Sequence, residues 1–444
     1  MRFVKTGGLA AAMIGGTGLV IKMKPSEFFA HKVQNYLTRI FNTDLACRTA
    51  LLVLVASLFS PVTSVLAVLA GGIYLLCSRK RCKRLVSDKL NFFTWAFLIL
   101  VLAVSLLQKN YIGVAATIFL GFCLVIMMQL RAVITRRFFE DLITAYLGYS
   151  VIAFLVAAIE RLFHITDPMY RTCSTFLNPL YYSYFVTFAA IFCTYRLVVS
   201  PRSKAAHSLV LLLNMCGMLF SGGRMPWIGM FAGTLIVLML CRRYRLFIAF
   251  CIGFGVLAAI AIWFPDLEFL AALRLNSINS GYTVRIPYWT MAFDGFEKQP
   301  LFGHGMLGIL NDSMQQSDWF ARFFETWDLG RLFADMKGSG CMLHAHNLLF
   351  DALYNFGIIG TLLLGFCMLR YCSAMYRNFS YHSYNPMIAL IVGIIVSILI
   401  NGIVDAEIIG LQTSVFTVLI FAMTGLQEEQ IYPEPPVQKS MREL

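Results

Sequence analysis

Long apolar blocks separated by short polar connections run through most of this chain. A bilayer span takes about 20 apolar residues, fewer at a tight hairpin. Twelve runs meet that description: 45–60, 62–78, 92–107, 111–130, 141–160, 180–198, 208–221, 226–241, 246–264, 347–369, 386–403 and 408–425. The first two are short and flank Pro61, and a hairpin turning at Ser60-Pro61 accounts for them better than one kinked helix. A single span there would put Arg79–Arg84 across the membrane from the other basic connections. The pattern predicts an all-α polytopic integral membrane protein with twelve transmembrane helices.

Three stretches lie outside the runs. Residues 1–44 form an amino-terminal segment, cytoplasmic or interfacial. In it Gly7–Ile21 is apolar but short and glycine-rich, which leaves an extra span or re-entrant piece open, and it lacks the layout of a secretory signal. Residues 26–42 read as an interfacial amphipathic helix, with Phe28, Phe29, Val33, Tyr36, Leu37 and Phe41 set against His31, Lys32, Gln34 and Arg39. Residues 265–346, between the ninth and tenth runs, are close to neutral and carry Trp289, Trp319 and Trp327, so they predict a folded helical cap and not a slack loop. Residues 426–444 are a polar, proline-containing tail. The organisation is therefore 1–44, spans one to nine over 45–264, the large loop 265–346, spans ten to twelve over 347–425, and the tail.

Composition agrees with this reading and narrows it. Among 444 residues 59% are hydrophobic and 13% charged, and the mean hydropathy is +0.73. That charged share is about half of what a soluble domain carries, which excludes cytosolic enzymes and nucleic-acid binders. The net charge of +13 then belongs to basic connections facing anionic membrane lipids. Basic residues crowd 79–91, 131–140, 199–207, 242–245 and 370–385, while the alternate short connections hold only Lys109, Arg161, Arg171 and Arg224. The positive-inside rule puts the crowded set in the cytoplasm, both termini with it, and the large loop on the outer face. The twelve cysteines make no CxxC pair, and most sit in apolar runs as small hydrophobes.

Three features on the outer side carry candidate chemistry. His344-Ala345-His346-Asn347 opens the tenth run, and Asn347 is a good helix N-cap. The positive end of the helix dipole disfavours the cationic form of His346, which suits a general base; the alternative is an interfacial side chain reaching for water. Gly357 and Gly360, three apart, predict a small-residue face for close helix packing. Ser221-Gly222-Gly223-Arg224 places one guanidinium beside exposed amides, a seat for an anion or for a lipid phosphate. Arg285 lies among Tyr282, Tyr288 and Trp289, with Arg274 as a further phosphate contact, whereas Arg322 and Arg331 read as partners for Glu325, Asp328 and Asp335. A base and two isolated cations suit a substrate with a pyrophosphate leaving group and an attacking hydroxyl. Metal ligation has little support: His344 and His346 are two apart and share no helix face. Asp405 and Glu407 face the same side and could touch a cation, but no carboxylate cluster or His/Asp ligand spacing stands out; Asp405 would instead orient a histidine or bind sugar hydroxyls.

The stretch 220–360 resembles the bacterial O-antigen ligases and their superfamily of O-antigen and other surface-polysaccharide polymerases. The likeness rests on His346-Asn347 with Gly357 and Gly360, on Arg224 in its Ser-Gly-Gly turn, on Arg285 with Trp289, and on Pro300-Leu301-Phe302-Gly303-His304-Gly305. Over 1–200 it rests on topology alone. The resemblance implies an enzyme at the periplasmic face of the bacterial inner membrane. It would move a glycan from undecaprenyl pyrophosphate to a sugar hydroxyl of lipid A–core, with no metal or cofactor. His346 would be the base, and Arg224 and Arg285 would hold the pyrophosphate. Asn347 belongs to the motif; His344 takes no role from the resemblance, and its reading as an auxiliary contact rests on its position beside His346 alone. A polymerase extending the lipid-linked chain uses the same donor. A transporter fits less well, because the runs are almost free of central charge and show no internal repeat.

Overall fold

The structure, a computed structural model, describes residues 2–6, 9–13, 20–23, 34, 43–163, 171–200, 203–264, 278–315, 343–379, 386–403, 405 and 411–426. Three short strands, β1 (Arg2–Thr6), β2 (Leu9–Met13) and β3 (Val20–Met23), form an antiparallel meander. The described part of the glycine-rich segment 7–21 is thus extended and not a further spanning helix. The amphipathic helix expected over 26–42 lies outside the described residues apart from Gln34.

From residue 43 on, the described chain is helical, and each of the twelve apolar runs coincides with a helix. In order they are α1 (Leu45–Phe59), α2 (Pro61–Leu76), α3 (Arg79–Ser87), α4 (Phe92–Leu107), α5 (Tyr111–Arg131), α6 (Arg136–Leu162), α7 (Pro179–Val199), α8 (Lys204–Ser221), α9 (Arg224–Leu240), α10 (Tyr244–Trp263), α11 (Ile278–Lys298), α12 (Gly308–Gln315), α13 (Leu348–Phe379), α14 (Pro386–Gly402) and α15 (Leu411–Ala422). Five of them (α5, α6, α7, α8 and α13) are long and apolar enough to cross a membrane by themselves. Six others are shorter apolar helices. Ser60 caps α2, accepting from Thr63 N–H at 3.1 Å, so α1 and α2 form the expected hairpin. The basic stretch after α2 is not an irregular connection. It is helix α3, bent 94° away from α2, with Gln129 of α5 donating to the Arg81 carbonyl at 3.0 Å and Arg131 paired with Asp88 at 3.3 Å.

Helix α7 lies at the centre. Its spanning window is 83% buried, and Tyr182, Tyr184, Phe185 and Phe188 are among the largest fully enclosed side chains. Tyr146 of α6 meets Phe185 and Phe192 at ring-centroid distances of 4.5 and 5.1 Å, and Phe416 of α15 closes on Phe185 at 5.5 Å. Such pairs contribute about 0.5–1.5 kcal/mol each beyond area burial. Between α9 and α14 the backbones touch: a Cβ on Gly233 would meet the Gly393 carbonyl at 2.7 Å. Small residues permit that approach, a common solution where lipid offers no hydrophobic drive for helix association.

The two ends of the bundle differ. At one end lie α3, the Arg131–Asp88 pair, the Arg196–Glu140 ion pair and Arg243, which donates to Val198 O at 3.4 Å. At the other lie the start of α9, the start of α13 and the end of α14. Antiparallel packing fixes this: Gly229 of α9 abuts Ser397 and Asn401 of α14, while Gly402 abuts Leu348 of α13. Basic connections and the candidate chemistry are therefore at opposite ends.

Candidate active site

The site is assembled from the start of α13, the chain just after α14, the middle of α11 and the turn before α9. Asn347 caps α13 as expected, its Oδ1 accepting from Leu349 N–H at 2.9 Å and Phe350 N–H at 3.1 Å. Its Nδ2 donates to the Ile403 carbonyl at 2.7 Å, which brings the end of α14 alongside. Asp351, buried one turn into the helix, accepts from Ala345 N–H at 2.8 Å and so folds residues 344–346 back over the helix start.

That fold aims both histidines at one carboxylate. His346 Nδ1 lies 3.3 Å from Asp405 Oδ1, and His344 Nε2 lies 3.6 Å from the same atom. His346 sits at φ +54°, a left-handed conformation uncommon for a side chain of this size. Strain of this kind costs about 1–3 kcal/mol and persists where the surroundings impose it. The two rings meet edge to face at 4.3 Å, and Tyr288 of α11 covers His346 at 5.4 Å. Exposure separates the pair: the His346 side chain is 32% exposed, those of His344 and Asp405 only 10% and 6%.

Hydrogen bonding assigns the tautomers. His344 Nδ1 accepts from the His346 backbone N–H at 3.1 Å, so its proton sits on Nε2, toward Asp405. His346 Nδ1 faces the carboxylate, so the proton belongs on Nδ1 and Nε2 keeps a free lone pair. This is the arrangement in which a carboxylate orients an imidazole for proton abstraction. Burial pushes the His344 imidazole down to about 4, with His346 and Arg285 adding to the effect and Asp405 opposing it. His344 is accordingly neutral.

Arg285, half-buried on α11, is near enough for its charge to act on His344. Arg224 opens α9 after the turn at Gly222-Gly223. The α9–α14 register sets it at the level of Ile403–Asp405, the same end as His346. Arg171 braces that turn, its Nε donating to the Ser221 carbonyl at 2.9 Å. Arg274, Glu407, Arg322 and Arg331 lie outside the described residues. Three groups that could hold a cation come together here: ligand atoms of His344, His346 and Asp405 all lie within 4.8 Å of one another. Spacing along the chain missed this because Asp405 arrives from α14, 59 residues away. An apolar pocket lined by Leu54, Tyr146, Phe192 and Phe416 includes none of these side chains.

The expectation for Gly357 is corrected. The α13 helix is not continuous there: Gly357 has φ +61°, ψ −170° and breaks it. The segment after α11 enters the break. Ile358 and Ile359 N–H donate to the carbonyls of Pro300 (2.8 Å) and Leu301 (3.1 Å), and His304 and Gly305 N–H donate to those of Tyr354 (3.0 Å) and Asn355 (2.8 Å). A Cβ at Gly357 would stand 2.4 Å from Leu301 backbone atoms. The glycine thus admits a crossing chain and does not offer a flat helix face. At Gly360 a Cβ would meet Phe356 Cβ at 2.7 Å.

These observations define a polytopic membrane protein with a histidine–carboxylate pair and arginines at one end of its bundle. Residues 208–365, from α8 into α13, match the family described as O-antigen ligase. The matched stretch contains Arg224, Arg285, His346, Asn347, Gly357 and Gly360. Such a family implies a glycosyltransferase-like ligase or polymerase handling lipid-linked glycans in a membrane. No curated protein matches the chain.

Proposed function

We propose that the protein is an O-antigen ligase that moves a glycan from undecaprenyl pyrophosphate to a hydroxyl of lipid A–core. In this reading the twelve apolar helices all span the bacterial inner membrane. Both termini and the basic end are cytoplasmic, and the His346 end faces the periplasm. The acceptor oxygen attacks the anomeric carbon of the donor sugar and its proton passes to His346 Nε2. The bond from that carbon to the phosphate oxygen breaks, and its electron pair leaves with undecaprenyl pyrophosphate. Arg224 and Arg285 hold the diphosphate and stabilise the charge that develops on it. No step requires a metal. Asp405 keeps the His346 proton on Nδ1 and favours the imidazolium formed in the transition state.

The observation that carries this reading is the His346–Asp405 contact of 3.3 Å, in which His346 belongs to the family-matched stretch and Asp405 is brought to it from beyond that stretch, with the Arg285 charge acting on the neighbouring His344. Purified protein in detergent, given a lipid-linked glycan and lipid A–core, tests it. A ligase glycosylates the core, in the presence of EDTA as in its absence. Lengthening of the lipid-linked glycan with the core untouched would identify a polymerase instead.

A further inference from the structure

Away from the His346 cluster lies a second, partly buried group of titratable side chains, built on the segment that crosses the α13 break. His304 Nδ1 pairs with Asp312 Oδ2 at 2.9 Å, and His304 Nε2 lies 3.0 Å from the Gly295 carbonyl. Both ring nitrogens therefore face acceptors, and only an imidazolium donates from both. Tyr354 OH donates to the same Asp312 oxygen at 2.6 Å, its ring stacks on His304 at 4.3 Å, and Asn311 donates to the other Asp312 oxygen at 3.2 Å. The His304 side chain is 12% exposed.

The four partners sit on separate pieces of chain. Gly295 is near the end of α11, which carries Arg285 and Tyr288. Asp312 is on α12. Tyr354 is in the first part of α13, two turns beyond His346. His304 is on the crossing segment, which Ser105 and Asn110 tie to α4 and α5 at 3.1 and 2.8 Å. We infer that His304, as an imidazolium clamped by Asp312 and Tyr354, is a positioning residue that sets the spacing between Arg285 on α11 and His346 at the head of α13. This rests on the transferase reading for its effect on rate, though not for the clamp itself.

The charged and titratable groups facing His304 are Lys298 at the end of α11, Asp312 on α12 and Tyr354 on α13; Ser105 and Asn110 of α4 and α5 do not titrate. Burial alone would lower the His304 pKa, and Lys298 acts the same way. The hydrogen bonds to Asp312 and Gly295 and the Asp312 charge outweigh both, so it ends above its ordinary value. Burial would raise Asp312, but its bonds from His304 and Tyr354 hold it below the usual carboxylate range. A histidine raised above 6.5 contributes stability that is complete below that pH and lost as pH rises through its folded value. The clamp therefore loosens on the alkaline side.

The test uses full-length protein in lipid nanodiscs, as wild type, His304→Gln and Asp312→Asn. Hydrogen–deuterium exchange over 299–312 and 348–360 is followed from pH 6 to 9, and transfer rates are followed beside it. In the wild type, protection of both peptides falls as pH rises above 6.5. His304→Gln lowers kcat about tenfold with little change in KM, and it removes the alkaline fall in rate. Asp312→Asn, which keeps the side-chain volume, shifts the alkaline fall to lower pH. Wild-type protection that does not change with pH overturns the clamp, whether or not transfer is seen. A His304→Gln profile that is merely scaled and keeps its alkaline limb also overturns the positioning role. Pronounced pH-dependent protection without any transfer activity leaves the clamp intact and contradicts the proposed function alone.

Discussion

Asp405→Asn is the most discriminating single substitution at the candidate active site. The side chain is 6% exposed and Oδ1 lies 3.3 Å from His346 Nδ1, so the change replaces a nearly enclosed charged acceptor with a neutral amide of the same shape. A hydrogen bond to a charged group contributes about 1.5–3 kcal/mol, and each 1.36 kcal/mol in the barrier is tenfold in rate. Loss of orientation and of imidazolium stabilisation alone thus slows transfer roughly 10- to 100-fold. A second effect adds to it. If the amide presents its NH2 to His346, Nδ1 must accept, the ring proton moves to Nε2 and the base is lost. The same substitution in a Ser-His-Asp site lowers kcat about 10⁴-fold for that reason. We therefore expect kcat to fall about 10²- to 10⁴-fold with donor KM nearly unchanged, since Asp405 is assigned no contact with the diphosphate. Initial rates with a radiolabelled lipid-linked donor measure this, and thermal melts confirm folding. A variant within about threefold of wild type would refute the assignment of Asp405 as the orienting group.

Other consequences follow from the same geometry. Arg285→Lys and Arg224→Lys keep the charge but lose the planar fork, so donor KM rises and kcat drops about tenfold or more in steady-state assays; unchanged kinetics in both would remove the arginines from the diphosphate site. Gly357→Ala places a methyl 2.4 Å from Leu301 backbone atoms at φ +61°, and should lower stability by more than about 2 kcal/mol through left-handed strain and displacement of the crossing segment, read as a lower melting temperature. His344 is buried neutral with its pKa pushed down to about 4, so the unfolded chain takes up a proton that the folded one does not. Stability due to this residue then declines as pH falls from 6.5 toward 4, by about 3 kcal/mol at the limit; chemical denaturation of wild type against His344→Gln checks it, and parallel pH dependences would contradict it.

The apolar runs made twelve of the fifteen described helices legible, because a long stretch with little charge announces itself in the sequence. The hairpin at Pro61 and the Asn347 cap were readable for local reasons: proline fits the first helical turn, and a short amide reaches the free N–H groups. The break in α13 was not. Gly357 and Gly360 have the spacing of a packing face, and only the chain arriving from Pro300–Gly305 shows that Gly357 is a gate for another backbone. His346 was visible because its neighbours form a compact motif. Asp405 is visible in the sequence as an acid between the last two apolar runs, yet its pairing with two histidines depends on how α13 and α14 abut at Leu348 and Gly402. The His304–Asp312–Tyr354 group had one local signal, a histidine between two glycines of a recurrent element. The bend into α3 had one as well: the charge-dense run that follows Ser78 cannot continue the apolar helix it succeeds.

The central claim is that the imidazole of His346 takes the acceptor proton. Chemical rescue measures this most directly: His346→Ala, in the same detergent assay with lipid-linked donor and lipid A–core, is titrated with free imidazole. The account predicts no detectable transfer without imidazole and a saturable recovery that grows with the unprotonated imidazole concentration. Transfer by His346→Ala at the wild-type rate, with no response to imidazole, would contradict it.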